Sequence, residues 1–215
     1  MDSHSEAGHS AVAVTDWRIQ TFALYAEVRE LALLNPSAAH RLWRQRRNAM
    51  FREHPASALD DAKKSSFTAL PVREYDPDFR WTCELTDIGA GARMTFQTGT
   101  DGEVPFLRLG SFDVPDVGLL AVWKLESYGG GIFLPFRDST AGRPDGAYGA
   151  GRYLLDTIKG AHLGQVGRSF VLDFNFAYNP SCAYNEAWAC PLPGKDNRVE
   201  AAIPVGEQYL PELAT

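Results

Sequence analysis

Cysteine is scarce in this chain. Three residues in 215, an odd number, argue against a disulfide framework as the means of holding the fold. No apolar run approaches the roughly 20 residues that a membrane-spanning helix needs. The opening stretch, "MDSHSEAGHSAVAVTDW", sets acidic and polar side chains before a short apolar patch and lacks a basic segment. It does not read as a secretory signal, and a cytoplasmic location is the expectation. Net positive charge is missing too: the formal charge is −6. That removes the whole-molecule electrostatic case for nucleic acid or an anionic membrane as partner. Lysine is rare, with five residues against sixteen arginines. Arg41, Arg44, Arg46, Arg47 and Arg52 crowd one segment, which is expected to be a solvated face paired with the acidic body.

Several catalytic signatures are absent as well. There is no Gly-x-Ser-x-Gly elbow. "GAYGAGRY" supplies Gly146, Gly149 and Gly151 but lacks the residue order of a phosphate-binding loop and does not open a long helix. The five histidines, His4, His9, His40, His54 and His162, all fall outside residues 173–198. Cys182 and Cys190 are separated by seven residues, wider than the usual zinc-binding pair. No metal and no cofactor are therefore expected. The two cysteines are expected to pack as small hydrophobes rather than to react, although a disulfide across that span is geometrically feasible.

What is present reads as one folded domain. The apolar fraction is 45% and the aromatic fraction 12%, enough for one core with a helical appendage. Residues 1–15 are read as a loose tail. Helical periodicity starts near Trp17, with Thr15 or Asp16 as N-cap, and stops at Asn35-Pro36. Ser37 is read as the cap of a second helix, with Leu42, Trp43, Met50 and Phe51 near one side. After residue 66 the period falls from about 3.6 to 2. "FRWTCELT", "RMTFQT", "VPFLRLGSF", "GLLAVWKLES", "GIFLPF", "RYLLD", "SFVLDFN" and "EAAIPV" read as strands, and Asp101-Gly102 as a hairpin turn. The expected fold is mainly β with N-terminal helices: an antiparallel β-sandwich or a partly open β-barrel of about eight strands. Residues 16–66 form the helical arm, 67–210 the β-domain, and the two are expected to make one compact unit.

The polar residues that strands do not need for packing concentrate in residues 133–153, 173–190 and 190–198. Arg137, Arg152 and Arg198 could each present a guanidinium fork to a carboxylate or phosphate. Glycines nearby would let backbone approach such a ligand. Asp138 and Thr140 suit Asx- and ST-type turns. Asp173 and Asn175 share the strand face opposite Phe170, Leu172 and Phe174. A buried Asp173 would need a partner, and Arg137, Arg152 and Arg198 are the natural choices. Asn179-Pro180 turns the chain. Tyr148, Tyr153, Tyr178 and Tyr184 offer apolar bodies with hydroxyl tips. Cys182 completes the candidate set.

The blocks Phe136-Arg137-Asp138-x-Thr140-x-Gly142, Tyr148-Gly149-x-Gly151-Arg152-Tyr153, Asp173-Phe174-Asn175-x-Ala177-Tyr178-Asn179-Pro180-x-Cys182-Ala183-Tyr184 and Cys190-Pro191-x-Pro193, with Asn197-Arg198, are similar to the DUF1684 family. The resemblance covers roughly residues 40–209 and implies a bacterial or archaeal protein of unassigned activity. Two links depart from the family pattern. "GRPDGAYG" stands in place of a Gly-x-Glu-Thr-Tyr-Gly link, and "PGKDN" in place of Pro-Pro-x-Glu-Asn, leaving Asp145 and Asp196 as the available acids.

The leading functional reading is a β-domain that binds a small anionic or polar molecule. A second is an enzyme using an Asp/Tyr/Arg cluster for acid–base chemistry, and a third is a structural or protein-interaction domain. A small-molecule ligand is the expected partner, nucleic acid and membrane are not, and homo-oligomerisation is left open.

Overall fold

The computed structural model describes residues 3–98 and 102–213. Helix α1 (Ser3–Ala32) begins well before the expected Thr15–Asp16 cap. Both cap candidates are engaged inside the helix instead. Thr15 bonds back to the Ala11 carbonyl, and the Asp16 carboxylate accepts from Gln20 and contacts His54 Nε2. No proline interrupts residues 3–14, so the helix runs on through a stretch expected to be a loose tail. Helix α2 (Pro36–Glu53) is capped by Asn35, whose side chain accepts from Ala38 N at 3.0 Å. Pro36 takes the first helical position, which makes its predecessor the cap; Ser37 Oγ instead accepts from Arg41. The buried stripe of α2 is His40, Trp43, Arg47 and Phe51. A short α3 (Asp61–Ser66) follows, capped by Asp60. Among the described residues no helix is long and apolar enough to cross a membrane.

Two antiparallel sheets follow. Strands β1 (Arg80–Glu84), β7 (Gln165–Val166) and β8 (Ser169–Asp173) form one, in the order β1-β8-β7. Strands β2 (Arg93–Thr98), β3 (Gly102–Val114), β4 (Gly118–Leu125), β5 (Ile132–Phe136) and β6 (Arg152–Asp156) form the other, in sequence order. Thr98 pairs with Gly102, while Asp101 of the expected hairpin turn lies outside the described residues. "EAAIPV" is not a strand. Pro204 has no amide to donate, and the Ile203 and Val205 carbonyls are claimed by Arg152. Two-residue β7 is too short to have been read from alternation.

The sheets face each other across one core. Phe112, Leu120, Leu134, Phe136 and Leu155 come from the five-stranded sheet and meet Phe170 and Leu172 from the other. Phe112 and Phe170 touch edge-on, with ring centroids 5.4 Å apart. The described strands do not close into a barrel, and the architecture is sandwich-like. Gly110 lets the sheets approach. At φ +154 its missing Cβ would stand 1.8 Å from the Thr86 carbonyl oxygen, at a register shift in β3.

A second core joins the helices to the irregular segment after β8: Leu24, Val28, Trp43 and Phe51 pack with Phe176, Ala183 and Tyr184. The far face of the five-stranded sheet gathers Phe106, Trp123, Phe133 and Tyr153. Asn197 covers part of it, accepting from Trp123 Nε1 at 3.1 Å and donating to the Ala121 carbonyl at 2.8 Å.

Candidate functional site

The thirteen candidate side chains do not converge on one pocket; they divide among several places. The first is a buried tie. Arg152, on β6, is wholly buried and donates to the carbonyls of Val205, Ile203 and Glu207 and to Asp138 Oδ1 at 3.1 Å. Asp138 Oδ2 accepts from Ile203 N and from both the amide and hydroxyl of Thr140. Burial pulls the Arg152 guanidinium below its ordinary value, against the favourable pull of Asp138. Arg152, Asp138 and Thr140 thus fasten residues 203–207 to the sheet. Gly151 does provide close approach, but to protein: a Cβ there would lie 2.6 Å from the Phe136 carbonyl oxygen and from Pro193 Cγ.

The second place is the end of β8. Register sets Asp173 opposite Arg80, so Arg80 is its partner, at 2.9 Å, and not Arg137, Arg152 or Arg198. Asp173 Oδ2 also accepts from the Tyr75 hydroxyl at 3.2 Å, and Oδ1 accepts from the Asn175 amide and side chain. The strand stops at Asp173, which caps a 3-10 turn over residues 174–176. Strand alternation therefore no longer governs Asn175, which instead reaches both backbone groups of Asp76. Burial raises the Asp173 pKa, while Asn175 and Arg80 lower it. His40 of α2 lies above, with Nε2 3.0 Å from the Asn175 carbonyl oxygen.

The third place is the seam between helices and sheets. Arg47 of α2 donates to Glu207 Oε2 at 2.9 Å and stacks over Trp43 at 4.6 Å. Glu207 is wholly buried and also accepts from Asn179 N and from the Tyr184 hydroxyl. Asn179 Nδ2 donates to the Gln208 carbonyl. Tyr178 donates to Asp156 Oδ2 at 3.5 Å, and Lys159 lies 3.4 Å from the same oxygen. Burial raises the phenols: Tyr25 is pushed up to about 12, and Tyr178 and Tyr184 well above their usual value. Burial also works to lower Arg47, but Glu207 and the neighbouring phenols outweigh it and raise its pKa. Two buried acceptors of this cluster, Asp156 Oδ1 and Asn179 Oδ1, have no hydrogen-bond partner among the described residues.

The fourth place is half-exposed. Cys182 and Cys190 are both free thiols of intermediate burial. Tyr148 donates to Cys182 Sγ at 3.9 Å. Tyr153 donates to the Pro191 carbonyl at 2.7 Å, fixing the chain next to Cys190. Of the remaining arginines, Arg137 donates from Nε to the Gly149 carbonyl at 2.8 Å, and Arg198 is exposed.

Reading the sequence missed Arg47, Glu207, Arg80 and Asp156. Arg47 was findable, because His40, Trp43, Arg47 and Phe51 follow a helical three-and-four spacing. The other three depend on strand register and on a C-terminal segment without periodicity. Two surface grooves, about 590 and 330 Å³, lie along α1 and contain none of the thirteen candidates. One runs past Asp16, Arg46 and His54, the other past Ser10, Pro55 and Trp188. No group of three His, Cys, Asp or Glu side chains converges among the described residues.

Fold and site together define a mainly β, sandwich-like domain under a helical layer. The sequence profile described as "Protein of unknown function (DUF1684)" matches residues 65–208, and the chain belongs to that family. The match takes in both sheets, the thiol pair and Glu207, but begins after α2, so Arg47 lies outside it. The solution NMR structure of an uncharacterized protein from Haloarcula marismortui (gene locus rrnAC0354) is similar, with 31% identity over 76% of this chain and 89% of that one and a TM-score of 0.54. No curated protein matches.

Proposed function

We propose that this chain binds a small polar molecule, rich in hydrogen-bond donors, at the seam between the helices and the sheets. One observation carries the reading: Asp156 Oδ1 and Asn179 Oδ1 are buried acceptors without a partner among the described residues. An unsatisfied buried acceptor costs about 1–3 kcal/mol, and a donor from a guest molecule would remove that cost. Half-buried Tyr178 and exposed Lys159 mark the rim through which a ligand would reach Asp156. Charge balance favours a neutral or cationic guest over an anion. Arg152 is paired with Asp138 and donates to three carbonyls, and Arg47 is neutralised by Glu207. Acid–base chemistry at Asp138 or Asp173 has little support, since every oxygen of both carboxylates accepts from protein donors.

A thermal-shift screen of amides, amines and polyols tests this reading. A ligand at 100 times its Kd stabilises the folded state by about 2.7 kcal/mol, which at this chain length moves Tm by roughly 5–10 °C. Asp156→Asn, folded by circular dichroism, should lose that shift. A screen in which nothing stabilises the wild type, or in which Asp156→Asn keeps the full shift, overturns the assignment.

A further inference from the structure

Backbone pairing sets two arginines next to each other at the end of β5. The Arg137 amide donates to the Asn197 carbonyl at 2.8 Å, and the Arg137 carbonyl accepts from the Val199 amide at 2.9 Å. These bonds make a parallel bridge with Arg137 opposite Arg198. Residues opposed in this way lie about 5 Å apart and send their side chains to the same face. We propose that Arg137 and Arg198 form a binding site for the phosphate group of a soluble small molecule. The site shares no side chain with the seam and does not depend on a ligand there.

Three features carry this. First, the local charge is unbalanced. The acids adjoining the two arginines are engaged elsewhere: Asp138 with Arg152 at 3.1 Å, and Asp196 with Arg108 at 3.5 Å. Among the described residues neither Arg137 nor Arg198 has a carboxylate partner. Exposed Lys195 adds a third cation and exposed Glu200 one acid. Three unpaired positive charges against one negative leave a surplus of two on a chain whose net charge is −6. Like charges held side by side repel, and an anion between them turns that repulsion into attraction. A phosphate monoester carries about −1.5 to −2 near neutral pH and matches the surplus, whereas a carboxylate cancels half of it.

Second, one guanidinium is fixed in place. Arg137 Nε donates to the Gly149 carbonyl at 2.8 Å, which sets the plane of the fork and leaves its two terminal nitrogens for a ligand oxygen pair. Arg198, exposed beside it, supplies the second fork. Third, the surface next to Arg137 is kept low. Gly149 is half-buried, its φ is not in the left-handed region, and a Cβ there would make only ordinary contact, 3.6 Å from Gly142 Cα. Neither a turn nor a clash calls for glycine at this position. Its effect is to leave room over the loop for a group held by the Arg137 fork.

The test is calorimetric titration of the full chain with inorganic phosphate at pH 8, where the dianion predominates, in about 0.15 M sodium chloride to screen diffuse attraction. The expected result is saturable one-to-one binding, with sodium acetate failing to compete. Arg198→Gln, a change at an exposed side chain, should weaken binding at least about tenfold. Arg137→Lys, which keeps the charge and loses the fork, should weaken it as well. Arg18→Gln, which removes an exposed charge from α1, should leave it unchanged. The assignment fails if phosphate does not saturate, if acetate competes equally, or if Arg198→Gln binds like the wild type. Equal weakening by Arg18→Gln would reduce the effect to general electrostatics and overturn the site. Flotation with phosphatidic-acid vesicles separates the two sources of phosphate: the chain should stay with the soluble fraction, and co-flotation abolished by Arg198→Gln would overturn the soluble ligand. Arg198→Gln decides alone should Arg137→Lys not fold.

Discussion

Burial draws the His40 imidazole down to about 4, assisted by the nearby Arg44 and Arg41 charges and opposed by its bond to Asn175. A neutral ring facing a carbonyl must carry its proton on Nε2, which leaves Nδ1 as an unpartnered buried acceptor. The folded pKa lies below the unfolded value of about 6.5, so the contribution to stability is complete above that value. It is lost as pH falls from about 6.5 towards 4, by an amount on the order of 3 kcal/mol. His40→Gln keeps a donor for Asn175 but does not titrate. Urea denaturation at pH 7 and pH 4 should therefore show the wild type losing more stability than the variant. At Cys190 the neighbouring Cys182, with Lys159 adding positive charge, lowers the thiol, while the same interaction raises Cys182. Alkylation of Cys190 by iodoacetamide should therefore rise at lower pH than that of Cys182. A single shared midpoint in the ordinary thiol range would contradict this asymmetry.

Helix α2 carries the most consequential side chain that alternation and periodicity left unassigned. Arg47→Met strips Glu207 of its cation and should cost about 3–5 kcal/mol, because an uncompensated buried carboxylate remains. Adding Glu207→Gln should recover part of that loss, and a double-mutant cycle by urea denaturation measures the coupling. Period and turn chemistry were enough to place α2 and seven of the strands: β1 alternates between buried and exposed faces, while β5 and β6 are short apolar runs buried on both. These signals did not place β7, which is two exposed residues long, and they read residues 200–205 as a strand although Pro204 and the bonds of the 203 and 205 carbonyls to Arg152 keep that segment out of the sheets. The candidate site was legible as a list of residues and not as an arrangement. Asp173 could be singled out as needing a partner, but the choice of Arg80 is made by the β1–β8 register, about ninety positions away in sequence. Asp138 and Arg152 were both visible as polar residues in an apolar setting. Their true counterparts, backbone groups of residues 203–207, carry no side-chain signature.

The helical layer shares its core with Phe176, Ala183 and Tyr184 and is tied to the segment holding Glu207 by the Arg47–Glu207 bond, while the Trp43–Tyr25 bond holds α2 to α1. Helices and sheets should therefore unfold as one unit. Native-state hydrogen exchange in rising urea should return the same opening free energy for α2 and β4 amides, and earlier release of α2 would mark the layer as a separate unit. The same ion pair also bears on synthesis. Arg47 and Glu207 are 160 residues apart. At roughly 5–20 residues per second, the cation exists for about 8–30 seconds before its carboxylate is made. Through that interval the apolar face of the nascent helical hairpin carries a bare charge and cannot be buried without penalty. Docking of α2 must wait until Glu207 is made, which leaves the two helices dependent on solvent or a chaperone over that interval.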